Sequence, residues 1–356
     1  MMKTISIGSR LVGEGQPVYI VAEVSANHNG SFDRAVKVIE ATKAAGADAV
    51  KVQTYTADTL TINSSKECFR IGKGTVWEGR TLYDLYKEAS MPWEWQPKLK
   101  SIAEGLGLGF FSTPFDPTAV EFLERMDVPV HKIASFELVD LPLIRLIART
   151  RKPMILSTGM ATVDEIREAV DAFVGAGGKQ LALLKCSSAY PAPPGEMNLG
   201  AIRRMSDLFN VPVGLSDHSL GVAVPVAAVA VGACIIEKHL TFSRNDPGPD
   251  STFSLEPGEF KTMVEAVRVA EKALRCDAIG VSEVERPNLA FRRSLFAVKA
   301  LKAGELFSGE NVCSIRPGNG LHPRCYEQVI GRKASVDIDA GTPLKWDLLM
   351  PEVKEP

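Results

Sequence analysis

Two short stretches carry the residue types that chemistry needs: Val213-Gly-Leu-Ser-Asp-His-Ser219 and Ile235-Ile-Glu-Lys-His-Leu240. Each is an apolar run that ends in acid and imidazole. A buried strand that opens into polar residues at its C-terminal end is how a (β/α)8 barrel presents its chemistry. On adjacent strands His218 and His239 lie close enough to share a ligand, with Asp217 and Glu237 flanking them. A lone histidine at a strand end is most often a satisfied core residue. A pair at matching strand ends points instead to a metal site.

The elements that must position this pair repeat along the chain. Eight β-rich runs occur at 18–25, 49–55, 109–115, 130–137, 153–160, 181–190, 211–218 and 233–240. Amphipathic stretches at 33–45, 117–126, 163–174 and 220–231 lie between them. Start-to-start spacing is mostly about 20 to 30 residues, the length of one βα unit. Apolar strands joined by helices imply a parallel sheet, and eight units imply a closed TIM barrel. The rival, an open doubly wound sheet, wants a Gly-rich loop after its first strand, and Asn27-His-Asn-Gly30 is not one.

The gap between Tyr55 and Gly109 is a long insertion holding Trp77, Trp93, Trp95, Tyr83 and Tyr86. It reads either as a lid over the catalytic face or as a satellite helix with its own aromatic anchors. After residue 275 the character changes. A linker-like stretch spans 276–290, and 291–356 reads as short strands and turns. A weak echo links Val298-Lys-Ala-Leu-Lys-Ala-Gly to Val336-Asp-Ile-Asp-Ala-Gly.

The strand ends gather a polar ring: Glu23, Ser25, Asn27 and His28; Lys51 and Gln53; Ser112, Thr113 and Asp116; Lys132, Ser135 and Glu137; Ser157 and Thr158; Lys185, Ser187, Ser188 and Tyr190; Ser216, Asp217, His218, Glu237, Lys238 and His239. Side chains two apart on a strand share a face, as Lys51 and Gln53 do, and Glu237 and His239. Lys132 and Glu137 have odd spacing, so both reach the mouth only if a bulge or loop intervenes. Two lysines facing one barrel mouth are costly without an anion. Lys51 and Lys132, with Thr113, Ser135 and Ser216, would suit a phosphate plus a carboxylate. The plainer alternative is interior salt bridges with Glu23 and Glu137. A Schiff-base aldolase with a lysine nucleophile is a third reading, but it has no use for the histidine pair.

Composition narrows the classes. The 356 residues carry a formal charge of −2 with both signs interspersed, so neither nucleic acid nor an anionic membrane is advertised. The N-terminus has no apolar signal core, and no run approaches a membrane span. Six cysteines show no CxxC, and Cys186 and Cys234 sit in apolar runs, as reduced thiols of a cytoplasmic protein would.

The runs Ala22-Glu-Val-Ser-Ala-Asn-His-Asn-Gly30, Asp48-Ala-Val-Lys-Val-Gln-Thr54, Phe111-Ser-Thr-Pro-Phe-Asp116, Lys132-Ile-Ala-Ser135, Gly214-Leu-Ser-Asp-His218, Glu237-Lys-His239 and Pro247-Gly-Pro-Asp250 resemble the sialic acid synthase family. The likeness keeps its order along essentially the whole chain. Phe291-Arg-Arg-Ser294 and Arg316-Pro-Gly-Asn-Gly320 resemble the family's antifreeze-like (SAF) domain. Thr81-Leu-Tyr-Asp-Leu-Tyr86, Pro92-Trp-Glu-Trp95 and Asp250-Ser-Thr-Phe-Ser-Leu-Glu256 are most similar to the family's pseudaminic acid synthase branch, with the sialic and legionaminic acid synthases as the alternatives.

The resemblance implies a TIM-barrel domain over 1–275 and a SAF domain over 291–356. It implies condensation of phosphoenolpyruvate with the open-chain aldehyde of an N-acetylated amino sugar. A divalent metal, Mn2+ or Mg2+ with Co2+ a further option, would be held by His218 and His239. Lys51, Thr113, Lys132, Ser135, Ser188 and Ser216 would bind phosphoenolpyruvate. At Ser188 some family members carry asparagine. Gln53, Tyr190 and Asp250 would contact the sugar, with Glu137 near the reacting centre, Glu23 handling the water and Glu237 behind the metal. Arg316 would reach the sugar of the other subunit in a domain-swapped homodimer. An aromatic lid of Tyr83, Tyr86, Trp93 and Trp95 would meet the apolar edge of a deoxy sugar. A carbohydrate-binding protein without catalysis is the reading of a different class.

Overall fold

The structure is a computed structural model, and it describes residues 3–274 and 279–351. The chain divides into two compact units, Met1–Cys276 and Asp277–Pro356. The start of the expected linker, and Cys276, lie outside the described residues.

The first unit opens with an antiparallel hairpin, β1 (Thr4–Ile7) and β2 (Arg10–Gly13). Eight parallel strands then close into a barrel: β3 (Tyr19–Glu23), β4 (Ala49–Thr54), β5 (Gly109–Pro114), β6 (His131–Ile133), β7 (Met154–Ser157), β8 (Leu181–Cys186), β9 (Val213–Asp217) and β10 (Ile235–His239). β10 pairs back onto β3, with His239 beside Glu23, and that pairing removes every free edge. All eight expected strands are present. The fourth is shorter than its apolar run suggested, because Ser135–Glu137 turns into a 3-10 helix.

Helices wrap the outside: α1 (Phe32–Ala45), α2 (Ala57–Leu60), α3 (Leu82–Ala89), α4 (Gln96–Gly105), α5 (Pro117–Arg125), α6 (Leu141–Arg149), α7 (Val163–Gly175), α8 (Ala201–Phe209), α9 (Ala223–Ala230) and α10 (Pro257–Ala273). Their starts are written locally. Asp116 caps α5 by accepting from the Thr118 and Ala119 amides, with Pro117 in the first turn. Thr162 and Glu165 form a reciprocal capping box on α7.

Two apolar layers hold the barrel. Outward residues such as Ile20, Val50, Val52 and Leu215 pack against the helices. Inward residues near the strand starts, including Tyr19, Ala49, Phe111, Ile155 and Ile235, fill the interior together with Ile5, Ile7 and Val12 of the hairpin. The hairpin therefore plugs the N-terminal end of the barrel. Its four-residue strands lie ahead of the first βα unit, where no period longer than a turn marks them.

The second unit has its own core of Leu295, Leu301, Phe307, Val312, Ile338 and Leu344. β11 (Ser294–Ala297) and β12 (Val312–Ile315) form its antiparallel pair. The two echoing segments meet each other, with Leu301 bridging Ile338 antiparallel.

Candidate active site

The C-terminal ends of the barrel strands open into a cavity of about 630 Å3. Alternation along each strand decides which polar groups enter it. Ser216 and His218 line it from β9, and Glu237 and His239 from β10. Their neighbours Asp217 and Lys238 turn outward and pair with each other in full burial. Asp217 thus does not flank the histidines as the sequence reading had it. Its strand parity sends it toward the helices, where Lys238 neutralises it. His28 also leaves the polar ring. It packs edge-on against Trp95 at 5.8 Å, and burial lowers its pKa to about 4. Asn27 bonds the Leu240 carbonyl and Ser254, again away from the cavity.

The two lysines sit at the cavity floor. Lys51 Nζ donates to Thr113 Oγ1 at 3.1 Å and pairs with Glu23. Lys132 Nζ donates to Ser157 Oγ at 2.7 Å and to the Ile133 carbonyl. Glu237 lies between them, its Oε1 3.7 Å from Lys51 and 3.6 Å from Lys132, and accepts from Ser216 at 3.2 Å. Burial lowers the Lys51 pKa, but Glu23 and Glu237 outweigh burial and raise it. For Lys132 burial wins and the pKa falls. Burial would raise Glu237, yet Lys132, Lys51 and His218 hold it below the usual carboxylate value. The counter-ions are therefore Glu23 and Glu237, not Glu23 and Glu137. Glu23 does not line the cavity. It lies beneath Lys51, accepting from the Ser25 amide and from Gln53, and Gln53 does line the cavity.

Glu137 reaches the cavity because the 3-10 helix Ser135–Glu137 resets the strand parity that odd spacing would have broken. Burial pushes its carboxyl up to about 7, and its Oε2 has no hydrogen-bond partner. Ser135 accepts from the Gly159 amide at 3.0 Å. A Cβ on Gly159 would stand 2.2 Å from Ser188 Oγ and 2.7 Å from Ser135 Oγ, so glycine is required there to keep both hydroxyls in place. That requirement was invisible in Ser157-Thr-Gly-Met160, because it depends on which side chains a neighbouring strand brings across.

The imidazoles of His218 and His239 face each other with ring centroids 5.3 Å apart. His218 Nδ1 donates to the Ser187 carbonyl at 2.9 Å, which leaves Nε2 as the free nitrogen. Burial lowers its pKa, but Cys186 and the Ser187 carbonyl reverse that and raise it; a cation at Nε2 would take the place of the proton. His239 is held neutral by burial and by His218, and its Nδ1 is buried without a hydrogen-bond partner, 3.9 Å from Asp250. A free ring nitrogen and a neutral imidazole fit a divalent cation. Among the described residues no group of three or more His, Cys, Asp and Glu side chains could hold a metal ion. A cation there would rest on two imidazoles and leave its other positions to water and substrate.

Aromatic rings close the histidine side. Tyr190 stacks on His218 at 4.4 Å, and Phe253 touches Tyr190, His218 and His239. Phe253 went unnoticed as a site residue, although it stands in the run after Asp250. The insertion behaves differently from the expected aromatic lid. Only Trp77 and Tyr86 of its aromatics line the cavity. Trp93 stacks on Phe122 and donates to the Tyr55 carbonyl, Trp95 packs on His28 and Phe32, and Tyr83 donates to Asp58. Trp93 and Trp95 are structural anchors, placed by the start of α4 rather than by the cavity. Arg316 belongs to the second unit and is exposed. Among the described residues every cysteine is a free thiol, with Cys186 and Cys234 buried.

Residues 38–278 match the NeuB family, and residues 292–350 match the SAF domain. The chain is 49% identical over 328 residues to a pseudaminic acid synthase of Campylobacter jejuni, covering 92% of this chain and 95% of that one. It is 43% identical to a pseudaminic acid synthase of Helicobacter pylori, covering 93% and 98%. The crystal structure of an N-acetylneuraminic acid synthetase from Leptospira borgpetersenii, in complex with citrate, superposes with a TM-score of 0.72 at 31% identity, covering 81% of this chain and 96% of that one.

Proposed function

The chain belongs to the NeuB family, and from that premise we propose that it is a pseudaminic acid synthase, joining phosphoenolpyruvate to open-chain 2,4-diacetamido-2,4,6-trideoxy-L-altrose with release of phosphate. The observation that carries the reading is one cavity shared by a lysine–hydroxyl floor and two facing imidazoles. Lys51, Lys132, Thr113, Ser135, Ser188 and Ser216 are the proposed phosphoenolpyruvate contacts. Gln53, Tyr190 and Asp250 are the proposed sugar contacts. Arg316 of the partner subunit completes the site in our reading, which makes the working enzyme a domain-swapped homodimer. Arg316→Ala is then expected to raise the sugar KM, and an unchanged KM removes the trans contact. The free buried thiols support a cytoplasmic enzyme.

Held by His218 and His239, a divalent metal (Mn2+, Mg2+ or Co2+) would supply Lewis acidity toward the aldehyde oxygen. The chain's own groups do the rest. The lysines fix the phosphate and carboxylate so that the enol carbon faces the aldehyde carbon. The carbon–carbon bond forms as the enol electron pair attacks, leaving an oxocarbenium centre. Water adds to that centre, and phosphate departs from the tetrahedral carbon. Glu137, protonated near neutrality, hands its proton to the new alkoxide and can then take one from the water. Glu23 acts on this centre through Lys51 and Gln53, holding both in place where water would add.

A carboxyl raised from 4.5 to about 7 is protonated below that value, so kcat/KM is expected to fall as pH rises through about 7. The same shift makes the fold lose stability over that window, because ionising a buried acid is costly. A pH–rate profile of Glu137→Gln that keeps the inflection would clear Glu137 of the role. Gly159→Ala is expected to raise the phosphoenolpyruvate KM by about tenfold or more, since crowding Ser135 and Ser188 misplaces charge-assisted hydrogen bonds worth about 1.5–3 kcal/mol each. Steady-state kinetics with unchanged KM would overturn that role.

The deciding test is phosphate release with and without chelator, run with the deoxy diacetamido sugar and with N-acetylmannosamine. Chelator-sensitive release with the deoxy sugar alone is the expected result. Release only with N-acetylmannosamine would make the chain a sialic acid synthase. The lowered pKa of Lys132 favours one second reading, a Schiff-base aldolase. Borohydride trapping together with chelator insensitivity would select it.

A further inference from the structure

The segment between β4 and α4 brings an aliphatic surface to the cavity that the chemistry described above does not use. Leu60 at the end of α2, Ile71, and Leu82 and Leu85 of α3 all line the cavity. Ile71 and Thr81 frame a small hairpin, in which Arg70 bridges Thr81, the Ile71 amide donates to the Arg80 carbonyl, and the Gly79 amide donates to the Ile71 carbonyl. Trp77 lies within it and fastens it. Its Nε1 donates to the Pro249 carbonyl at 2.8 Å, and its ring lies 5.3 Å from Tyr190 and 6.4 Å from Phe253. Those same rings touch the histidine pair, so the latch ends where the aldehyde end of a sugar would sit.

Two threonines that this segment also brings are engaged within it. Thr59 Oγ1 donates to the Thr56 carbonyl, and Thr75 Oγ1 accepts from the Trp77 amide. Leu60, Ile71 and Leu82 are half-buried and offer a ligand only hydrocarbon. In an open-chain sugar the carbon that reacts and the last carbon are the two ends of one chain. With the aldehyde held among Lys132, His218 and His239, the last carbon points away from the polar floor. A hydroxyl there would lose its water and gain no partner from these side chains, whereas a methyl loses nothing.

We infer that Leu60, Ile71 and Leu82 form the specificity wall that receives the 6-methyl end of the sugar, with Trp77 as the positioning residue that holds the wall on the cavity. The inference rests on the condensation proposed above and names which part of the substrate each group reads.

The test compares the 2,4-diacetamido-2,4,6-trideoxy sugar with its 6-hydroxy counterpart, reading kcat/KM for each and the phosphoenolpyruvate KM. The wild-type enzyme is expected to favour the deoxy sugar by about ten- to a hundredfold, the range one methyl in an apolar site provides. Ile71→Asn and Leu82→Asn, each giving the hydroxyl a partner, are expected to shrink that ratio by about tenfold with the phosphoenolpyruvate KM unchanged. Ile71→Leu is expected to keep it, and an unaltered phosphoenolpyruvate KM certifies the fold of each variant. Trp77→Phe, which keeps the ring and loses the Pro249 bond, is expected to raise the sugar KM more than it lowers kcat. A ratio that stays constant in both asparagine variants overturns the wall while leaving the condensation intact. A wild-type enzyme inert toward the deoxy sugar overturns the proposed function, and the wall assignment falls with it.

Discussion

Replacing His239 with alanine is expected to lower kcat/KM for the condensation by about 10^3-fold and to abolish saturable Mn2+ binding. Lewis-acid polarisation contributes several kcal/mol to a transition state, and each 1.36 kcal/mol is tenfold in rate. His239 is suited to the part. Burial and the neighbouring His218 keep its ring neutral, and a neutral ring is the form a cation needs. The ring is wedged 5.1 Å from Phe253 and 5.3 Å from His218, so its direction is set before any ligand arrives. Calorimetric titration of Mn2+ into the variant separates the metal role from a packing defect. Wild-type Mn2+ affinity in His239→Ala would remove the residue from the metal site, whatever its turnover.

Lys51→Met is expected to cost about 3–5 kcal/mol of barrel stability, the usual result of leaving one member of a buried ion pair alone. Glu23, 1% exposed, would then lack its cation, and Glu237 would keep only Lys132 at 3.6 Å. Adding Glu23→Gln removes the stranded charge and is expected to restore most of the loss, but not activity. Denaturant unfolding of the two variants measures the difference. If the double variant is no more stable than Lys51→Met, Glu23 is not the partner that matters. Activity is expected to fall at least about 10^2-fold in both, because Lys51 is a proposed anion contact as well as a structural charge.

The barrel was legible because its signal is repetitive. Eight apolar runs at βα spacing survive local errors, and each strand appears where its run does. The inward direction of Lys51, Gln53, Glu237 and His239 followed from period two. Asp217 was misplaced because adjacency to His218 was read in place of that rule, which turns it outward to its partner Lys238 on the next strand. The lysine counter-ion was misassigned for a related reason: Glu137 is near Lys132 in sequence, but closure of the barrel through β10 and β3 brings Glu237 within reach of both lysines. The aromatic insertion misled most. Abundance of Trp and Tyr says that a segment has anchors, not which side they face, and Trp93 and Trp95 face the helices. Gly159 and the aliphatic wall carry no motif at all. They are defined by what stands across from them.

The hairpin at the N-terminal end of the barrel has a kinetic consequence. Among the described residues it fills that end of the barrel, so the cavity at the opposite end is expected to admit reactants in turn. On the proposed assignment of phosphoenolpyruvate to the lysine floor, it would have to arrive first, and the sugar would then cork it in. After reaction the nine-carbon acid stands between phosphate and the exit and must leave before it. Steady-state traces should therefore show compulsory order, with phosphate competing against phosphoenolpyruvate and the sugar acid competing against neither. Random-order inhibition patterns would mean that the well has a second outlet.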